Sequence, residues 1–334
     1  MTGRPKVAVL MDTVQQKRVL DEAGWSLLKE RYEIRRNPHD RPLVVEELTD
    51  FLEGVDAAMS GWRVISIGEE ALERADKLRC VAHAAGSVKG LVTDALWSRQ
   101  IRVTSASAGI AEDVARTTVC LIHLGVKKWW PFQGWVRGGG WLNDAPFVAD
   151  EVTGKTVGVI AASHIGRRVI KLLPNFGVGR ILLYDPYVTA ERARELGAEK
   201  AELDDLMRVS DVVTCHAPAT SETRHLIDAR RLRLLKNGAV FVNTSRGGNV
   251  DETALIAELR TGRIFAFLDV TDPEPPTRES ELRRLDNVVL TPHISGCMTQ
   301  CQLLGRMAIE ELRRHFAGEP PVYEVTRAML DRIG

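Results

Sequence analysis

The chain has 334 residues, 44% of them apolar, with 45 Lys plus Arg against 45 Asp plus Glu. That length allows about two domains, and the apolar share is enough to bury a core. The balanced charge excludes the one-signed field of a nucleic-acid or anionic-membrane binder, and no apolar run approaches the roughly 20 residues that span a bilayer.

Apolar runs of strand length alternate with amphipathic segments of helix length, the rhythm of parallel α/β architecture. The first six residues lead straight into Val7, Ala8, Val9, Leu10 and Met11, too short and too strand-like a stretch for a signal peptide. The pattern predicts a strand over 6–11, a helix over 14–31, a strand over 32–36, a helix over 44–52 and a strand over 56–59. A helix over 67–75 and strands over 78–84 and 101–105 follow. Residues 112–128 read as a long helix with one apolar face, and the aromatic, glycine-bearing stretch 129–141 as irregular. Together they read as a crossing between two domains.

A second rhythm then begins: strand 156–161, helix 165–173, strand 180–184, helix 190–195, and strands at 212–215, 239–243, 265–270 and 288–290. A last helix over 299–316 leaves this second sheet and is expected to return to the first portion. The expected domains are therefore 1–108 with 299–334, and 109–298. Five cysteines (Cys80, Cys120, Cys215, Cys297, Cys301) are scattered without metal-ligand spacing, although Cys297 and Cys301 suit one helix face. No metal is expected, and reduced thiols point to the cytoplasm.

Where the strand over 156–161 runs into its helix, a dinucleotide site carries G-x-G-x-x-G, so that pyrophosphate meets free N–H groups at the helix start. Here Ala161 and Ser163 take the first two glycine positions and Gly166 keeps the third. Asp185 closes the next strand, where an acid binds the adenosine ribose hydroxyls and disfavours a 2′-phosphate, hence NAD. The bland alternative is an ordinary strand–helix turn that has lost its nucleotide.

Three further stretches each carry one residue suited to redox acid–base chemistry: Arg246 within 243–252, Glu274 within 268–276 and His293 within 291–296. Arginine grips a carboxylate in a bidentate fork. Histidine exchanges a proton near neutral pH, and a carboxylate beside such a ring orients it and favours its charged form. Each has a duller reading: a lone Arg-Gly-Gly tract, a solvated loop acid, a helix-capping histidine. Their order and company weigh against all three.

With these phrases, and with Gly154-Lys-Thr-Val-Gly, Ser210-Asp-Val-Val, His216-Ala-Pro and Leu235-Lys-Asn-Gly, the chain resembles the D-isomer-specific 2-hydroxyacid dehydrogenase family over about 78–296. The resemblance implies two Rossmann-like domains with parallel sheets, a flavodoxin-like substrate domain and an NAD-binding domain, with an active-site cleft between them. It implies that Arg246, Glu274 and His293 are catalytic and that Asp269 meets the nicotinamide. Ser163, His164 and Ile165 fall at the pyrophosphate. Thr118, Ala217, Pro218, Thr244, Ser245, Ser295 and Gly296 fall along the cofactor. Ala85, Gly86 and Ser87 fall in a backbone loop for the substrate carboxylate, shared with Arg246 and His293. It also implies a homodimer acting on a small 2-oxoacid or 2-hydroxyacid.

Two departures add positive charge: Arg116 stands where the family usually has glutamate, and Lys89 where aspartate is common. A substrate with extra negative charge and surface drift both account for them. Glu274 argues against the formate dehydrogenase branch, which pairs its histidine with glutamine. An alternative of another class is a catalytically weak NAD(H) sensor or scaffold on the same fold.

Overall fold

The computed structural model describes residues 3–296 and 301–332. Cys297, the expected helix start at Thr299 and the expected domain limits at 298 and 299 lie outside them. The chain divides into two compact units, Met1–Ile110 with Cys297–Gly334, and Ala111–Gly296.

The first unit holds five parallel strands: β1 (Lys6–Val9), β2 (Glu33–Arg36), β3 (Ala57–Ser60), β4 (Cys80–His83) and β5 (Arg102–Ser105). Their order is β2-β1-β3-β4-β5, the flavodoxin-like order. All four residues of β3 and of β4 are buried, as in a parallel sheet covered on both faces. The helix Gln302–Phe316 lays Leu304, Ala308, Ile309 and Leu312 on Val7, Val9, Met59 and Ala82 of this sheet. Beyond it, Val325 N–H donates to Val103 O at 2.9 Å.

Two expectations fail in this unit. The helix over 14–31 is two, Thr13–Val19 and Glu22–Arg31, because Leu20 is extended and Asp21 caps the second by accepting from Gly24 N–H at 2.8 Å. An aspartate cap is worth about 1 kcal/mol, and Asp21 also binds Arg306 of the C-terminal helix at 2.9 Å. Residues 67–75 make a chain of turns closed by short-range bonds such as Glu73 N–H to Glu70 O, 3.1 Å. Ile67, Ala71 and Leu72 are buried all the same, and so short a stretch gains little from helical cooperativity.

The second unit holds β6 (Thr156–Ile160), β7 (Arg180–Tyr184), β8 (Glu199–Lys200), β9 (Val212–Cys215), β10 (Val240–Asn243), β11 (Phe265–Leu268) and β12 (Val288–Leu290). They run parallel in the order β12-β11-β10-β9-β6-β7-β8. Read from β6, this is the doubly wound dinucleotide order with one strand added, and the order reverses between β6 and β9. The helix Ser107–Val126 buries Ala115, Val119 and Ile122 against this unit's core. The stretch expected to be irregular starts with a helix, Trp129–Arg137. Pro131 lies in its first turn, where a missing N–H breaks no intrahelical bond. Among the described residues no helix is long and apolar enough to cross a membrane.

Candidate active site in the second unit

Residues that leave the carboxyl ends of β6, β7, β9, β10, β11 and β12 carry the second unit's expected site positions, where open α/β sheets place their ligands. After β6, Ala161 has φ +74°, the left-handed conformation that glycine takes most easily. The alanine thus keeps the backbone path of the first motif glycine, at a cost of roughly 1–2 kcal/mol. Gly166 is required by contact: a Cβ there would fall 2.0 Å from the Ala161 carbonyl oxygen. Ser163 caps the helix His164–Leu172, its Oγ accepting from Gly166 N–H at 3.2 Å. The amides of His164 and Ile165, in the first turn, have no intrahelical acceptor. Partial desolvation, then Arg168 and Arg167, draw the His164 imidazole below its ordinary pKa.

Asp185, after β7, ties this turn down. Its Oδ2 accepts from Ala162 N–H and its Oδ1 from Tyr187 N–H, both at 2.8 Å. Each oxygen keeps a further lone pair for a ligand hydroxyl. Two predictions follow from the turn. Ala161→Gly relieves the left-handed alanine and is expected to raise stability by up to about 1 kcal/mol, with cofactor affinity unchanged or improved. Gly166→Ala is expected to cost about 1–3 kcal/mol through overpacking. Thermal unfolding and NADH titration check both.

After β9, Ala217 is buried and its carbonyl accepts from Asn249 Nδ2 at 2.8 Å, while the Pro218 carbonyl accepts from Thr223 Oγ1 at 2.6 Å. After β10, Thr244 Oγ1 lies 2.9 Å from Thr118 Oγ1, joining the long helix to the strand end. Asn243 shapes the next turn: its Oδ1 accepts from Ser245 Oγ at 2.8 Å and Ser245 N–H at 3.1 Å, and its Nδ2 donates to Arg246 O at 3.0 Å. Gly247 passes so close to the β11 loop that a Cβ would fall 2.0 Å from the Thr271 carbonyl. This contact accounts for the glycine after Arg246 and removes the tract reading. Arg224 binds Asp272 at 3.0 Å, and Glu252 Oε2 accepts from Asp272 N–H at 3.0 Å, holding the same loop.

That loop carries Glu274, and the Asp272–Pro273 and Glu274–Pro275 peptide bonds are cis. Glu274 Oε1 lies 2.6 Å from His293 Nδ1, and both side chains are about two-fifths exposed, 41% and 42%. The second ring nitrogen, Nε2, is thus the one left for a reacting group. Arg246 Nη1 donates to Ser245 O at 2.7 Å, and among the described residues Arg246 makes no ion pair. Burial draws its guanidinium below the ordinary pKa, and the Glu274 charge opposes that shift. A desolvated, unpaired guanidinium that remains charged is a strong attractor for a carboxylate.

His293 has φ +57°, a left-handed backbone that costs a non-glycine residue on the order of 1–3 kcal/mol. Asp269 holds it there. Its Oδ1 accepts from Thr291 Oγ1 at 2.5 Å and Ile294 N–H at 2.9 Å, its Oδ2 from Ser295 N–H at 2.8 Å, and its carbonyl from His293 N–H at 2.9 Å. Gly296 follows Ser295 at the end of this turn. Sequence reasoning missed the loop-shaping work of Asn243, Asn249 and Thr291. The available signal was polar residues just after buried strands, where side chains bond to local backbone.

The first unit carries Ala85, Gly86 and Ser87 after β4. Among the described residues the amides of 85–88 donate to no acceptor, while Ser105 Oγ donates to the Gly86 carbonyl at 2.6 Å. Successive free N–H groups form an anion-binding concavity. His83, beneath this loop, is 3% exposed, and burial pushes its imidazole down to about 4, so it is neutral at pH 7. Its Nδ1 lies 3.0 Å from Ser60 Oγ. Of the two charge departures, Arg116 is spent on Glu112 at 3.0 Å with a 68% exposed side chain, which favours the surface explanation.

A model of the D-isomer specific 2-hydroxyacid dehydrogenase NAD binding domain matches residues 119–295. The chain is 35% identical over 246 residues to a D-3-phosphoglycerate dehydrogenase of Archaeoglobus fulgidus, covering 73% of this chain and 46% of that one. It is 34% identical over 302 residues to a glyoxylate reductase of Thermococcus kodakarensis, covering 88% of this chain and 87% of that one. The chain thus spans about half the length of the phosphoglycerate dehydrogenases it matches. The apo crystal structure of D-mandelate dehydrogenase from Rhodotorula graminis superposes with TM-score 0.83 at 24% identity, over 97% of this chain and 98% of that one, a likeness of fold alone. The chain belongs to the D-isomer specific 2-hydroxyacid dehydrogenases, a family of oxidoreductases, and residues 119–295 are its NAD-binding domain.

Proposed function

We infer that the protein is an NAD-dependent 2-hydroxyacid dehydrogenase working mainly as a reductase of small 2-oxoacids. The observation that carries this reading is the 2.6 Å His293–Glu274 pair on the unit that also presents an unpaired Arg246. The dinucleotide fits the residues present: Ala161 follows the glycine path, Gly166 leaves no Cβ at the turn, and the amides of His164 and Ile165 lack intrahelical acceptors. When bound, it supplies the hydride to the 2-oxo carbon.

His293 delivers a proton from Nε2 to the carbonyl oxygen, while Glu274 holds Nδ1 protonated and the ring in one orientation. Arg246 binds the substrate carboxylate and stabilises negative charge as it develops on the oxygen. The amides of Ala85, Gly86 and Ser87 receive carboxylate oxygens. Asp269, Thr118, Thr244, Ser245, Ala217, Pro218, Ser295 and Gly296 line the cofactor, and Asp185 takes the ribose hydroxyls, favouring NAD over NADP.

The test is NADH consumption with glyoxylate, pyruvate, hydroxypyruvate, bulky and phosphonate-bearing 2-oxoacids. Turnover of at least one is expected. NADH binding without turnover of any would sink the enzyme reading in favour of a sensor. A cytoplasmic homodimer completes the proposal. The dimer is supported by the exposed Trp129 (61%), Trp141 (68%), Leu142 (64%) and Val148 (78%), which put a large apolar surface on one segment. Light scattering at micromolar concentration should give twice the chain mass.

A further inference from the structure

In the second unit, β6 lies between β7 on one side and β9 on the other. The loops that follow β7 and β9 therefore flank the turn that follows β6, at the reversal of strand order where a doubly wound sheet binds its nucleotide. Tyr187, in the loop after β7, donates its hydroxyl to Glu222 Oε2, in the loop after β9, at 2.9 Å. Two residues 35 positions apart thus join the two sides of the proposed cofactor crevice.

Both ends of this bridge are anchored. Asp185 Oδ1 accepts from Tyr187 N–H at 2.8 Å, so the tyrosine is carried by the same carboxylate that is assigned to the ribose hydroxyls. On the other side, Thr223 Oγ1 accepts from Thr220 N–H at 2.9 Å and donates to the Pro218 carbonyl at 2.6 Å. His225 N–H donates to Gly248 O at 2.8 Å, which closes the loop. Glu222 stands between the two bonded threonines, exposed, and makes no ion pair among the described residues. A solvent-exposed hydrogen bond adds little to stability. The consequence of this one is where it puts a charge.

A site that accepts a 2′-phosphate keeps an arginine near the acid's position. Residues 186–191, after Asp185, include no Lys or Arg, and the next cation, Arg192, is bound to Glu195 at 2.5 Å. We propose that Glu222 is a second determinant of cofactor choice: tethered to the Asp185 loop by Tyr187, its carboxylate repels a 2′-phosphate and so disfavours NADPH. This rests on the dinucleotide reading of the site and extends it to a residue outside the strand-end acid. A phosphate monoester carries roughly two negative charges at pH 7, and a carboxylate acts on it through space without contact. NADH lacks that group and is left nearly untouched. The repulsion is screened by salt, as any exposed charge pair is.

The test measures binding, by fluorescence titration of NADH and of NADPH with the full chain and no substrate. Glu222→Gln keeps an acceptor for the Tyr187 hydroxyl and removes the charge. It is expected to bind NADPH about fivefold more tightly than the parent, with NADH affinity within about twofold. Glu222→Lys should gain about tenfold, and both gains should shrink as salt rises from about 20 mM to about 0.5 M. Tyr187→Phe unties the carboxylate and should show part of the Glu222→Gln gain; an affinity equal to the parent's would remove the tether from the proposal. NADPH affinity unmoved in Glu222→Gln and Glu222→Lys, while the parent binds NADH, would overturn this inference alone. An equal rise for NADH and NADPH would also overturn it, placing the repulsion at the pyrophosphate that both share. Binding of neither dinucleotide by the parent would overturn the cofactor reading, and this inference with it.

Discussion

His293→Ala is expected to lower kcat by about 10²–10⁴ while leaving NADH affinity within about twofold, the range for removing a positioned proton donor. The ring is held by Glu274 at 2.6 Å through Nδ1, so the substitution removes the donor and leaves Arg246 in place. Alanine at a left-handed φ of +57° retains some backbone strain, and Asp269 still clamps the turn through Thr291, Ile294 and Ser295. The fold should therefore persist, which circular dichroism verifies. Steady-state kinetics with the best 2-oxoacid of the panel, beside fluorescence titration of NADH, measure the effect. Activity within threefold of the parent would remove His293 from the acid–base role.

Arg246→Gln is the second large effect, an expected fall of about 10²–10³ in kcat/KM, comparable to losing a donor aimed at developing charge. The guanidinium is desolvated, and its one hydrogen bond among the described residues goes to the Ser245 carbonyl. Its charge is therefore available to a substrate. Arg246→Lys keeps the charge without the fork and should recover only part of the loss. A rise in KM with kcat unchanged would show that Arg246 binds substrate and transition state equally. NADH affinity unchanged in both variants would separate this role from a structural one.

Much of the fold was legible because both sheets are parallel and their central strands are buried on both faces. Their strands read as apolar runs, and the helices between them as amphipathic segments. The failures have local causes. Residues 14–31 kept their apolar spacing across Asp21, but that side chain found a backbone amide to cap and a partner in Arg306, and the helix broke there. Residues 67–75 bury the expected side chains without a helix, since apolar spacing does not distinguish a helix from a string of tight turns. The aromatic, glycine-bearing stretch 129–141 reads as irregular, yet residues 129–137 are helical, since proline in a first turn is compatible with a helix.

The doubt over the cofactor turn changes character with the structure. In sequence, alanine and serine at two glycine positions looked like erosion. In space, Ala161 takes the glycine-like φ and Ser163 takes a capping role, so the turn keeps its shape with other residues. The third glycine was retained because the Ala161 carbonyl occupies the volume of its missing Cβ.

The sequence by itself determined the alternation of strand and helix, the residues that end each strand, and the order Arg246, Glu274, His293, because these follow from local periodicity and residue chemistry. Only the tertiary structure decided which of them meet. Gly247 passing Thr271, Asp269 clamping the His293 turn and Thr118 reaching Thr244 are contacts between residues far apart in the chain. Their energies depend on where parallel strands end side by side, a property of the assembled sheet that no local window of sequence contains.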